Sequence, residues 1–145
     1  MAGNYTLAII KPDAVAKGNA GNVLAHLEKQ GFRIRALRML RLSKEQAGAF
    51  YEVHRERPFY GSLVDFMTSG PAIPVLLERE DAVAKLREVI GATDPREAAQ
   101  GTVRALFAES KERNAIHASD SDDNAAREAR FFFAEADFIG TGGGR

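Results

Sequence analysis

Short apolar runs, each separated from the next by a helix-patterned stretch, constrain this chain more than any other feature. "YTLAII" (residues 5–10) reads as a buried strand closed by Lys11-Pro12-Asp13, a turn signal. Val23, Leu24 and Leu27 then fall at helical spacing, and Gly31 supplies a stop. "FRIRALRMLRL" (32–42) predicts a long strand with arginines punctuating apolar residues. Ser43 and Gln46 form an S-x-x-Q capping box, followed by Ala47, Phe50, Tyr51 and His54 on one helical stripe. A second helix is expected over 60–68. A third strand, "AIPVLLE" (72–78), contains Pro74, which argues for an edge or a distortion. Val83, Leu86 and Ile90 mark another helix, stopped by Gly91. Residues 92–113 have weak periodicity, and an irregular stretch that long in a compact domain is usually functional. A short helix over 121–129 then leads into "RFFFAE" (130–135), the expected last strand.

Separated strands with helical crossovers ask for an α/β sandwich, helices packed on a small sheet. No repeat or linker divides the 145 residues, so residues 1–140 are expected as one domain and 141–145 as a flexible glycine-rich tail. A chain of this length buries about 70% of its unfolded surface, enough for a core without staples. Cysteine is absent, which removes disulfides, thiolate metal sites and a cysteine nucleophile. Twenty basic residues balance twenty acidic ones, so net charge encodes no broad attraction to nucleic acid or membrane. The start resembles no signal peptide, and no run approaches the ~20 apolar residues of a membrane span. A cytoplasmic location is the expectation.

The glycine-rich phosphate loops G-x-x-x-x-G-K-[ST] and G-x-G-x-x-G after a strand are missing. So are H-E-x-x-H, the G-x-S-x-G elbow, and any His and Asp set with metal-ligand spacing. A phosphate-handling site in this chain must therefore draw its cations from scattered side chains. Lys11 ends the first strand, Arg87 lies on the helix before the long stretch, and Arg104 lies inside it. His117 stands out among three histidines because it sits between a polar loop and helix-opening residues; His54 reads as a packed histidine and His26 as a surface one.

"NAIHASD" (114–120) is similar to the active-site signature N-x-x-H-G-S-D of nucleoside diphosphate kinases. The likeness extends through "TLAIIKPDAV", "FYEVHRERPFYGSLVDFMTSGP", "LREVIGATDP" and "GTVRALFAES", in the family's order and spacing. The resemblance implies a ferredoxin-like βαββαβ core with a four-stranded antiparallel sheet. It also implies ping-pong transfer of the γ-phosphoryl of a nucleoside triphosphate to another diphosphate, with Mg²⁺ carried on the nucleotide rather than by protein ligands. By this likeness His117 is the nucleophile, attacking through Nδ1, with Glu128 as the supporting carboxylate and Ser119 in its network. Lys11, Arg87 and Arg104 match the phosphate-contacting cations, with Tyr51 and Thr93 adding hydroxyls. Asn114 and Lys11 match the residues holding the sugar. Phe59 matches an aromatic lid on the base, which reads no hydrogen-bonding edge and so tolerates every base. The family assembles as dimers grouped into tetramers or hexamers.

Two alternatives attach to particular residues. Arg33, Arg35, Arg38 and Arg41 suggest a basic face for single-stranded nucleic acid, although the strand offers almost no aromatic platform. Ala118 where Gly is usual, Leu106 where Asp is frequent, Gln100 for Pro, and the added charge of Lys111 and Arg113 suggest an impaired kinase-like nucleotide binder. A positive φ at residue 118 would penalise the Ala118 Cβ by about 1–2 kcal/mol, and the family's tolerance of alanine there implies that φ is not positive.

Overall fold

A computed structural model describes residues 3–139. The glycine-rich tail expected at 141–145 lies outside the described residues.

Four strands form one antiparallel sheet: β1 (Tyr5–Ile10), β2 (Arg33–Leu37), β3 (Ile73–Glu78) and β4 (Ile116–Ala118), in the order β2-β3-β1-β4. Between them run α1 (Pro12–Ala16), α2 (Ala20–Lys29), α3 (Lys44–Phe50), a 3₁₀ turn (Glu52–His54), α4 (Tyr60–Met67), α5 (Ala82–Ile90) and α6 (Val103–Phe107). After β4 come α7 (Asp122–Phe132) and α8 (Glu135–Phe138). The element order and sheet order are those of the expected ferredoxin-like sandwich.

The unbroken apolar run of β1 is explained by burial on both faces. Ala8 and Ile10 pack with Val75 and Leu77 beneath Val23, Leu27, Leu86 and Ile90 of α2 and α5. The alternate residues Leu7, Ile9 and Leu76 pack with Phe50, Met67, Ala129 and Phe132 of α3, α4 and α7. Each of these side chains larger than alanine contributes about 1.5–3 kcal/mol when fully buried. The Ser43–Gln46 capping box opens α3 as expected.

Several elements differ from the sequence expectation. "RFFFAE" is not the last strand: α7 continues through Phe132, because Ala125, Glu128, Ala129 and Phe132 place a buried stripe at helical spacing. The fourth strand is instead the three-residue β4, and His117, placed by the sequence between a polar loop and helix-opening residues, lies on it opposite Ile9. β2 stops at Leu37 rather than running through 42, leaving one bridge between Leu40 and Ala72. Pro74 lies in the interior strand β3, not at an edge. Its carbonyl accepts from Arg38 N–H on the β2 side, so its missing N–H falls where β2 pairing ends. The stripe through His54 is likewise broken, with α3 ending at Phe50 and His54 on the 3₁₀ turn.

The arginines of the β2 region do not form a free basic face. Arg33 and Arg35 pair with the Glu78 carboxylate, while Arg38 and Arg41 donate to the carbonyls of Phe132 and Thr68.

Candidate active site

The sheet register brings the chemistry together. Ile10 pairs with Ile116, and one step beyond it Lys11 N–H donates to Ala115 O at 2.8 Å, so the end of β1 and the entry to β4 are neighbours. Lys11 and Asn114, 103 residues apart in sequence, consequently meet: Lys11 Nζ donates to Asn114 Oδ1 at 2.8 Å. Asn114 Nδ2 donates in turn to Thr93 O at 3.2 Å, tying the long irregular stretch to the strand.

Ile116 and Ala118 turn their side chains into the core beneath α5, which sends His117 to the opposite face, towards α7. There Glu128 Oε1 lies 2.7 Å from His117 Nε2 and accepts from Ser119 Oγ at 2.8 Å. Burial pushes the Glu128 carboxyl up, but the hydrogen bonds from His117 and Ser119 and the Arg127 charge outweigh it, so it titrates below its ordinary value. An ionised carboxylate only accepts. The proton on the ring is therefore on Nε2, and the lone pair of neutral His117 is on Nδ1.

Arg104 and Arg87 are set by the open edge of β4. The odd residues in and flanking this strand turn their polar groups towards β1, as Ala115 O does to Lys11 N–H and Ser119 N–H to Leu7 O, so the carbonyls of Ile116 and Ala118 face outward. Arg104 Nη2 donates to Ile116 O at 2.7 Å and Nη1 to Gly91 O at 3.1 Å; Arg87 Nη1 reaches Ala118 O at 3.4 Å. Two guanidinium groups thus cap the sheet edge beside His117, which also blocks further strand pairing there. Burial and the charge of Arg87 lower Arg104 to about 10. Burial and Arg104, partly offset by Asp13, lower Lys11 to about 8.

All of these open onto one cleft of about 1010 Å³. Lys11, Tyr51, Phe59, Arg87, Thr93, Arg104, Asn114, His117 and Glu128 line it; Ser119 is wholly buried behind Glu128. Tyr51 Oη and Arg104 Nε are buried without hydrogen-bond partners among the described residues, two donors left available to an anionic ligand. Burial, then the Glu128 charge, push the Tyr51 phenol far up, so it remains a donor at neutral pH. Phe59, before α4, is 48% exposed at the mouth.

Three features escaped the sequence reading. His54 is half-buried in the cleft wall, its ring 5.3 Å from Phe59 and 6.4 Å from Tyr51. Arg127 donates to Phe50 O at 3.1 Å and lines the cleft one residue before Glu128, a position whose inward side only the α7 stripe could have revealed. A positive φ falls at Ala115 (74°), while Ala118 has none, as the family's tolerance of alanine implies, and its methyl fits a strand without strain. Leu106 is exposed on α6.

A cleft with buried cations and unpaired donors around a carboxylate-held imidazole, on a ferredoxin-like sandwich, defines a phosphotransferase. The comparisons give the particular kind. The family model described as Nucleoside diphosphate kinase matches residues 4–138, and the chain belongs to that family. It is 59% identical over 134 residues to the nucleoside diphosphate kinase of Chlorobium chlorochromatii, covering 92% of this chain and 96% of that protein. A relative from a Nitratiruptor species is 57% identical, with 92% and 98% covered. The solved Aquifex aeolicus nucleoside diphosphate kinase superposes with a TM-score of 0.90 at 49% identity, covering 92% of this chain and 97% of that one. The enzyme of Encephalitozoon cuniculi gives 0.87 at 29% identity, with 91% and 90% covered.

Proposed function

We propose that this nucleoside diphosphate kinase works by a ping-pong exchange through His117, carried out by one domain over residues 1–140. The observation carrying it is the 2.7 Å contact between His117 Nε2 and Glu128, which reserves Nδ1 for attack. In the first half-reaction the Nδ1 lone pair forms a bond to the γ-phosphorus of a triphosphate. The bond from that phosphorus to the bridging oxygen breaks, and the diphosphate leaves. Positive charge developing on the imidazole is balanced by the Glu128 carboxylate, with Ser119 fixing the acceptor oxygen. In the second half-reaction a terminal oxygen of another diphosphate attacks the same phosphorus, the N–P bond breaks, and neutral His117 returns.

Transfer of this kind asks mainly for alignment and for positive charge around the equatorial oxygens. Lys11, Arg87 and Arg104 supply that charge, and Tyr51 and Thr93 supply hydroxyls. Asn114, held by Lys11 and Thr93, takes the sugar, and Phe59 stacks on the base. Stacking reads no edge, so all bases serve.

Among the described residues no three His, Cys, Asp or Glu side chains converge as a metal cage, and the cleft wall is cationic. This donor set fits Mg²⁺ as a passenger on the phosphates, with the Asp120 carboxylate in the same wall as an acidic neighbour. Bound there, the ion neutralises phosphate charge and helps to align the chain of phosphates.

No helix of the described residues is long and apolar enough to cross a membrane, which accords with a cytoplasmic enzyme. Exposed Leu37 and Met39, on and beside the terminal strand β2, support an assembly built from dimers, as a tetramer or hexamer. Initial rates test the mechanism: with ATP varied at several fixed concentrations of GDP, parallel double-reciprocal lines are expected. Intersecting lines would mean direct transfer in a ternary complex and remove the intermediate.

A further inference from the structure

Asp13 is 6% exposed, yet the transfer chemistry makes no use of it. It lies in the first turn of α1, two residues after Lys11. Its Oδ2 accepts Ala115 N–H at 3.0 Å across 102 residues of sequence. Ala115 is one of two non-glycine residues with positive φ among those described, and Ile116 N–H donates to Asn114 O at 2.8 Å around it. Together these make a strained γ-turn centred on Ala115. Such a conformation at a residue with a Cβ persists only when its surroundings hold it. Here both polar groups of Ala115 are held: its N–H by Asp13 and its carbonyl by Lys11 N–H.

The turn is placed where geometry matters most. Asn114 precedes it and His117 follows two residues later, so relaxation at Ala115 displaces both relative to Lys11. The second oxygen, Asp13 Oδ1, is buried with no hydrogen-bond partner among the described residues. A buried carboxylate atom without a donor is unfavourable unless a charge compensates it. The Lys11 ammonium, whose own hydrogen bond goes to Asn114, is a charge that acts on it through space. The groups facing it are Arg104, which opposes its protonation, Asp13, which favours it, and the uncharged Asn114 amide.

We propose that Asp13 is a positioning residue of the transfer site, clamping the Ala115 turn that sets Asn114 and His117 and providing the fixed negative charge against which Lys11 is held. The inference rests on the roles given above to Lys11 and His117. Lys11 must be charged to attract phosphates, and that charge is lost as pH rises through about 8. Removing the Asp13 charge moves this loss to lower pH.

The test uses Asp13→Asn, Asp13→Ala and Asp13→Ala/Ala115→Gly in the full chain, read by kcat per folded molecule and by the affinity for ADP from neutral to alkaline pH. In Asp13→Asn the amide oxygen still accepts from Ala115 while the charge is gone. Its alkaline loss of ADP affinity is expected about one pH unit below that of wild type. In Asp13→Ala the turn is released, and kcat is expected to fall about 10²-fold. Glycine adopts positive φ without strain, so Ala115→Gly in that background is expected to recover about half of the lost factor on a logarithmic scale. A purely structural Asp13 would lower thermal stability and leave both readouts unchanged. An alkaline midpoint in Asp13→Asn equal to wild type overturns the electrostatic half, and wild-type kcat in folded Asp13→Ala overturns the clamp. Failure of wild type to exchange phosphate would instead remove the role given to His117, while the ADP midpoints would still judge Asp13.

Discussion

Replacing Glu128 by Gln separates the two things its carboxylate does for His117. One is geometric: Oε1 accepts from Nε2 and so fixes the ring and its tautomer. The other, under the proposed mechanism, is electrostatic: the negative charge would stabilise the cationic ring formed on phosphorylation. Ser119 Oγ donates to the same oxygen at 2.8 Å, and its alternative acceptor, Leu7 O, is at 3.4 Å. The amide introduced by Glu128→Gln is therefore held with its oxygen, not its nitrogen, between Ser119 and His117, and the tautomer survives. What is lost is the charge. Hydrogen bonds to charged groups contribute about 1.5–3 kcal/mol and neutral ones about 0.5–1.5 kcal/mol, a difference of about 1–1.5 kcal/mol. At about 1.4 kcal/mol per factor of ten, kcat/KM should fall about tenfold. Adding Ser119→Ala frees the amide to flip. A donor then faces Nε2, Nδ1 becomes protonated, and a further loss of about 10²-fold is expected, in line with orienting groups elsewhere. Coupled spectrophotometric rates on the two single variants and the double variant give the cycle. Glu128→Gln at the wild-type rate would refute the electrostatic role, and additive effects in the double variant would refute the orienting role of Ser119.

Other outcomes follow from the same geometry. Phe59→Ala should weaken every nucleotide by about 1–3 kcal/mol with little selectivity, read as a rise in KM for both purine and pyrimidine diphosphates. Lys11 is charged below about 8 and neutral above it, so wild-type nucleotide affinity should decline as pH rises through that value, measured by titration with ADP. The lowered Glu128 value means its contribution to stability is present above the unfolded carboxylate value of about 4.3 and lost as pH falls through the folded one. The urea-midpoint gap between wild type and Glu128→Gln should therefore narrow on acidification. Phe50, 1% exposed and ringed by Tyr51, His117, Phe131 and Phe132, should lose about 3–5 kcal/mol on replacement by Ala, measured by urea unfolding.

What could be read from sequence depended on how far each signal extends along the chain. β1 and β3 are six residues long and almost wholly buried, so their apolar runs announce them. β4 is three residues long, too short for any periodicity, and only its neighbours in space make it a strand. The aromatic run "RFFFAE" has strand-like composition, but its first half belongs to α7, because packing of Phe132 beside Ala129 overrides local preference. Glu128 and Ser119 were legible through family resemblance, yet which nitrogen Glu128 holds was not, since that depends on which face of β4 meets α7. Asp13 looked like part of a turn. Its hydrogen bond to Ala115 spans 102 residues and leaves no local trace. Arg104 and Arg87 were legible as cations but not as caps on a sheet edge, because the sequence suggested no edge there.

The position of phosphate on the imidazole tests the site most directly. Wild type and His117→Ala would be incubated with γ-labelled ATP and Mg²⁺, and the phosphorylated protein examined by ³¹P NMR under alkaline denaturing conditions. Because Glu128 holds Nε2, phosphate should appear on Nδ1 of a single histidine in wild type, be absent from the variant, and leave as GTP when GDP is added. Phosphate on Nε2, or label that persists in His117→Ala, would contradict the assignment of this histidine and of the carboxylate that orients it.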